Sequence, residues 1–238
     1  MSAPRFSNPV FVALDTPDLA RAYAVASAVR PHVGGLKIGL EFITANGPDG
    51  VRKIVALGLP VFADVKFHDI PNTVAAASRE LARLGAMIFN IHTSGGEVMM
   101  REAAAAARAV DPKIKAIGVT ALTSLDDTVL ESVGQRGPAA EQVLRLAKLA
   151  KQSSLDGVVC SAHEIGVLRK ALGPDFLLVV PGIRPAGAAL DDQRRVMTPA
   201  EAHRAGADIL VVGRPITGAA DPAQAARAIA DELGLTTA

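Results

Sequence analysis

Asp64, Lys66 and Asp69 put a carboxylate, an ammonium and a second carboxylate within the stretch DVKFHDIPNT, residues 64–73, directly after the apolar run LPVFA. Buried charge is costly unless it is paired or used, so a cluster at the end of a buried strand needs a structural reason or a task. On a strand, Asp64 and Lys66 are two apart and share a face, where they can pair, while Val65 points the other way. Asp69 lies beyond the strand, in a turn whose Pro71 suits the first turn of a helix. Taken singly, the pair could fix strand register and Asp69 could cap a helix. Together, two carboxylates around one ammonium leave net negative charge in a low-dielectric cleft, which calls for another cation or for a substrate group that the charge opposes.

Further polar residues close other apolar blocks. Asp15 ends the first, Lys37 sits inside the second, His92 ends the fourth, Thr120 and Thr123 follow the fifth, and Arg184 follows the seventh. The eighth block ends in VVGRPI, where Gly213 lets a ligand come close to the backbone and Arg214 adds a guanidinium; with Gly182 and Arg184 of PGIRP this composes an anion site of the kind barrels build after their last two strands. The plain alternative is a turn glycine and a solvated arginine. The histidines show no paired spacing with carboxylates or cysteine, so no metal site is expected. Cys160, the single cysteine, has no activating partner in sequence and is expected to be a small buried residue. No glycine fingerprint for a dinucleotide follows the first strand.

The elements that would position these residues are eight short aliphatic blocks: PVFVALD, GLKIGL, PVFADVKF, AMIFNIH, KAIGVTAL, DGVVCSA, FLLVVPGI and DILVVGRPI. Alanine-rich helical patterns separate most of them; Val74, Ala77, Leu81 and Leu84 share one face, as do Val143, Leu146, Ala147 and Ala150. Strand and helix alternating at this rhythm imply parallel pairing, and eight units predict an α/β fold, a (β/α)8 TIM barrel occupying residues 1–238 as one domain, with an open doubly wound sheet as the alternative. In a barrel all the polar residues above converge on one mouth. REAAAAARAV reads as an ordinary surface helix. The long segments TSLDDTVLESVGQRGP and RPAGAALDDQRRVMTP follow strand ends and are read as substrate lids.

With 25 Lys and Arg against 24 Asp and Glu, no global field favours nucleic acid or membrane, so a small molecule is the expected partner. The single cysteine and the lack of a signal or membrane-spanning run predict a cytoplasmic protein.

DVKFHDIPNT resembles the signature of the orotidine 5'-phosphate decarboxylase family, and the likeness continues through LKIG, VTALTS, PGIRP, DDQ and VVGRPI in the same order. A shorter form of the motif occurs in related barrels, the hexulose phosphate synthase and 3-keto-gulonate phosphate decarboxylase types, which are the alternative. The resemblance implies decarboxylation of orotidine 5'-monophosphate to UMP without metal or cofactor. It implies that Lys66 protonates C6 of the pyrimidine, that Asp64 lies near the departing carboxylate, and that Lys37 bonds the ribose and Asp64 while Asp15 holds a ribose hydroxyl. Asp69 and Thr73 would reach the neighbouring subunit's site in a homodimer with shared sites. Thr123 and Ser124 would touch the pyrimidine, with Pro181 also in the pocket, and Arg184, Gln193, Gly213 and Arg214 would grip the phosphate.

Overall fold

The structure, a computed structural model, describes residues 6–122, 124–135, 137–185 and 197–235. In chain order the strands and α-helices are β1 (Val10–Ala13), α1 (Leu19–Val29), β2 (Gly35–Gly39), α2 (Leu40–Val55), β3 (Val61–Phe67), α3 (Pro71–Arg83), β4 (Ile88–His92), α4 (Gly96–Arg108) and β5 (Lys115–Val119). They continue with α5 (Asp127–Ser132), α6 (Ala139–Gln152), β6 (Gly157–Val159), α7 (Ile165–Leu172), β7 (Leu177–Pro181), α8 (Pro199–Ala205), β8 (Ile209–Val212), α9 (Arg214–Thr217) and α10 (Pro222–Glu232). Each strand pairs in parallel with the next, and β8 returns to β1 with Leu210 beside Val10 and Val212 beside Val12, which closes the sheet. This is the expected (β/α)8 barrel.

Two-residue alternation splits the strands between two apolar layers. Phe11, Phe62, Ile88, Ile117, Leu177 and Ile209 point inward and fill the barrel. Val10, Leu36, Ile38, Phe89, Val158 and Leu178 point outward and join the buried faces of the helices. At the floor, Gly35 stands beside Phe11, and a Cβ there would lie 2.3 Å from the Phe11 ring, so only glycine fits.

The helices form where the periodicity predicts. Val74 and Leu81 of α3 and Val143, Leu146, Ala147 and Ala150 of α6 are buried against the sheet. The alanine run lies in α4, but Ala103, Ala104, Ala106 and Ala107 are buried, because small side chains let α4 sit close to α3 and the barrel. Side-chain oxygens of Asp18, Asp126 and Asp221 accept first-turn N–H groups of α1, α5 and α10, which starts those helices cleanly. At the opposite end of the strands from the polar mouth, Asp156 holds Arg108 and Lys115, and Asp208 accepts from Arg169 and from the Leu178 N–H. These pairs tie helices to strand starts and serve the frame. No described helix is long and apolar enough to cross a membrane.

The two segments read as lids are described only in part. The segment after β5 is not a plain loop: Asp126 caps α5 within it. Most of the segment after β7 lies outside the described residues.

Candidate active site

The inward positions that end the strands meet at one mouth. On β1, Ala13 is inward and Leu14 packs outward, so Asp15 returns to the inner side. Lys37 pairs in register with Ala13 and is almost fully buried, and its ammonium reaches Asp15 Oδ1 at 2.5 Å. Gly39 stands opposite Asp64 in the β2–β3 register; a Cβ there would lie 3.1 Å from Asp15 Oδ1 and 3.5 Å from Lys37 Nζ, so glycine leaves room for that ion pair.

On β3, Lys66 Nζ donates to Asp64 Oδ1 at 2.6 Å, and Val65 packs outward, as the spacing predicts. The backbone is less regular than the spacing suggests. The β3–β4 register runs from Ala63 opposite Phe89 to Phe67 opposite Ile91, so three residues of β3 face one residue of β4. Within this bulge Lys66 has φ of 50°, in the left-handed region that residues with a Cβ rarely enter. Asn90, the facing residue, is fully buried; its amide oxygen accepts from Lys66 N–H at 2.7 Å and its amide nitrogen donates to Asp64 Oδ1 at 2.6 Å.

Asp15, Lys37, Asp64 and Lys66 line a cavity of about 440 Å³, within the usual range for small-molecule sites. Asp15, Lys37, Asp64 and Lys66 occupy one side; Pro181 at the end of β7, Gly182 and Arg184 after it, and Gly213 and Arg214 after β8 occupy the other. Phe62, Val119, Leu122 and Ile183 add apolar walls. A Cβ on Gly213 would meet only Ala13 Cβ, at 3.6 Å, so packing does not demand glycine there and its open side faces the cavity. Among the described residues, four cations and two carboxylates line the cavity, a balance that suits a ligand with more than one negative group.

That balance differs from the acidic triad read in sequence. Asp69 is exposed outside the cavity of its own chain, with its carboxylate accepting the Ile70 N–H at 2.6 Å, and Thr73 is exposed on the first turn of α3. Lys37 is paired with Asp15 rather than with Asp64. Ser124 is exposed and does not line the cavity; a turn closed by Leu125 N–H to Leu122 O carries it away and puts Ala121 and Leu122 at the wall. Thr123 and Gln193 lie outside the described residues. Thr120 is buried and its hydroxyl donates to Val159 O.

His92 does not line the cavity either. Its ring stacks obliquely on His68 at 5.5 Å, and burial, aided by the nearby His68 and Lys66 charges, holds its pKa below the ordinary histidine value. Cys160 is buried in the outer layer, where burial pushes its thiol pKa up. Among the described residues, no three histidine, cysteine, aspartate or glutamate side chains gather in a way that could hold a metal ion. Asn90 was missed in the sequence; a lone amide inside the aliphatic block AMIFNIH was the available signal.

A closed parallel barrel with ion pairs and arginines gathered at the C-terminal ends of its strands defines a (β/α)8 barrel enzyme with a mouth lined by basic side chains. Comparison with known proteins narrows the class. The family model of the orotidine 5'-phosphate decarboxylase / HUMPS family matches residues 8–229, and the chain belongs to that family. Orotidine 5'-phosphate decarboxylase of Paramagnetospirillum magneticum is 53% identical over 233 residues, which cover 96% of this chain and 99% of that protein. The crystal structure of orotidine 5'-phosphate decarboxylase from Lactobacillus acidophilus superposes with a TM-score of 0.85 at 40% identity, covering 95% of this chain and 99% of the other. That of Pyrococcus horikoshii gives 0.77 at 27% identity, covering 94% and 99%.

Proposed function

We propose that the chain decarboxylates orotidine 5'-monophosphate to UMP, in pyrimidine biosynthesis in the cytoplasm, without metal or cofactor. The observation that carries this reading is the Lys66 ammonium held at 2.6 Å by Asp64 inside a cavity whose far side carries Arg184 and Arg214. The substrate's phosphate matches the two arginines and the glycine backbone at Gly213, and its pyrimidine reaches the lysine side. Both carboxylates that line the cavity among the described residues hold lysine ammonium groups, which supports chemistry run by charge and proton transfer rather than by a metal ion.

In this reading the bond from C6 to the carboxylate carbon breaks, CO₂ leaves, and the electron pair stays on C6. That carbanion has no good resonance sink, so catalysis must favour it over its precursor. A fixed ammonium does so and then donates its proton to C6, after which solvent restores the proton on Lys66. Asp64 holds the ammonium in place, and it crowds the substrate carboxylate before release. Binding energy from the phosphate, remote from C6, supports the ordering of this charged site. The same side chains favour a homodimer in which Asp69 and Thr73 serve the partner's site: both are exposed beside Ile70, which is 67% exposed, and neither has a role in the cavity of its own chain.

The test is Lys66→Ala. Turnover should disappear while UMP binding remains measurable by calorimetry; activity close to the unaltered enzyme would overturn the mechanism. Mixed with an inactive Asp69→Ala chain, the Lys66→Ala chain should regain activity through hybrid dimers, and no recovery in confirmed hybrids would refute the shared site.

A further inference from the structure

The β3–β4 bulge puts the proposed proton donor on a backbone that regular pairing would not supply. Lys66 is left-handed, and three residues of β3 crowd against one of β4. Where the β3–β4 ladder is broken, something must satisfy the Lys66 N–H. Asn90 does so with its side-chain oxygen at 2.7 Å, and its amide nitrogen meets Asp64 Oδ1 at 2.6 Å, the same oxygen that accepts Lys66 Nζ at 2.6 Å. The result is a closed ring running from the Asn90 amide to the Lys66 backbone, along the Lys66 side chain to Asp64, and back to Asn90. The amide orientation is fixed by chemistry: reversed, it would set NH₂ against N–H and C=O against a carboxylate. Asn90 is fully buried, so water does not compete for these bonds.

We propose that Asn90 is a positioning residue, which pins both the left-handed backbone of Lys66 and the carboxylate of Asp64 and so sets where the ammonium stands relative to the reacting carbon. The proposal rests on the function given above. Asparagine alone among small side chains offers an acceptor and a donor in one plane at this spacing. Aspartate keeps the shape and the acceptor but loses the donor when ionised, and two carboxylates then face each other.

Two variants and a crystal structure test this. Asn90→Ala should lower kcat about 100-fold, the scale of effect that a misplacement near 1 Å has on a reacting group, while UMP affinity changes less than about threefold. Asn90→Asp, isosteric and still able to accept the Lys66 N–H, should lose activity at pH 8 and recover part of it towards pH 6, where its protonated carboxyl again donates to Asp64. Among the described residues, the titratable groups in or beside the ring are Asp64 and Lys66 of β3, with His92 of β4 and His68 beyond β3 next to Lys66, and Lys37 of β2 in the same cavity as that pair. They are shared with the unaltered enzyme, so the ratio of the two activities isolates the new carboxyl. A residue that merely filled space would lower thermal stability and leave kcat and that ratio unmoved. Both variants keeping kcat within threefold, or UMP affinity falling in step with kcat, would overturn the proposal. If the unaltered enzyme does not act on orotidine 5'-monophosphate, the reading of function fails separately, and the crystal structure of Asn90→Ala still decides the geometric claim: Lys66 should leave the left-handed region, and an unmoved φ and Nζ would refute it.

Discussion

Gly35 and Gly39 stand on the same inner face of β2, one at the floor and one at the mouth, and alanine at each should separate folding from chemistry. At Gly39 the new Cβ would lie 3.1 Å from Asp15 Oδ1 and 3.5 Å from Lys37 Nζ, closer to the oxygen than side chains normally come. Lys37 is 8% exposed and cannot move aside, whereas Asp15 is 55% exposed and can, so the carboxylate gives way and the ion pair loosens. A hydrogen bond between charged groups contributes about 1.5–3 kcal/mol. The exposure of Asp15 reduces this to about 1 kcal/mol. That corresponds to roughly a fivefold fall in kcat/KM, since about 1.4 kcal/mol is tenfold. At Gly35 the Cβ would lie 2.3 Å from a fully buried Phe11 ring, and overpacking of that kind costs about 1–3 kcal/mol or more. For a chain of this size the melting temperature should fall by roughly 2–4 °C per kcal/mol. The assays are kcat/KM from the ultraviolet change of orotidine 5'-monophosphate and thermal unfolding by circular dichroism. Gly39→Ala with unchanged kcat/KM, or with a thermal loss equal to that of Gly35→Ala, would refute the reasoning.

Other perturbations probe separate parts of the account. Arg214→Ala should weaken UMP binding about 10- to 100-fold, the loss of a bidentate charged contact, with melting temperature little changed, as calorimetry and thermal unfolding will show. Cys160, buried and with its thiol pKa raised, should react with a disulfide reagent at neutral pH only when the protein unfolds; rapid labelling of the native protein would contradict its placement. Burial lowers the His92 pKa in the folded protein, so around and below the ordinary histidine value near 6.5 the unfolded chain binds more proton than the folded chain. Stability should therefore fall as pH drops from 7 to 5, and His92→Gln should flatten part of that fall in melting temperature.

The barrel was legible because each strand buries both faces in different layers, so aliphatic blocks bounded by polar ends mark every strand, and alanine-rich periodicity marks the helices between. The Asp64–Lys66 pair was legible from two-residue spacing, and Arg184 and Arg214 from their place after β7 and β8. The bulge was not, because side-chain alternation carries no record of the φ that Lys66 adopts; only the facing strand, through Asn90, makes that conformation tolerable. Ser124, expected at the pyrimidine, does not line the cavity for a related reason: a turn between Leu122 and Leu125 decides which residue reaches the wall, and that turn depends on backbone hydrogen bonding rather than residue order. Short α5 was overlooked although Asp126 supplies its cap, because six residues show too little periodicity to stand out. Spacing alone groups Asp69 with Asp64 and Lys66, whereas the family resemblance points it to a neighbouring subunit; the turn after β3 carries it out of the cavity of its own chain.

The most direct test of the central claim is the ultraviolet loss of orotidine 5'-monophosphate in the presence of the purified protein, with and without EDTA. The account predicts rapid conversion to UMP at the same rate in both, and no conversion by folded protein, or conversion abolished by EDTA, would contradict it.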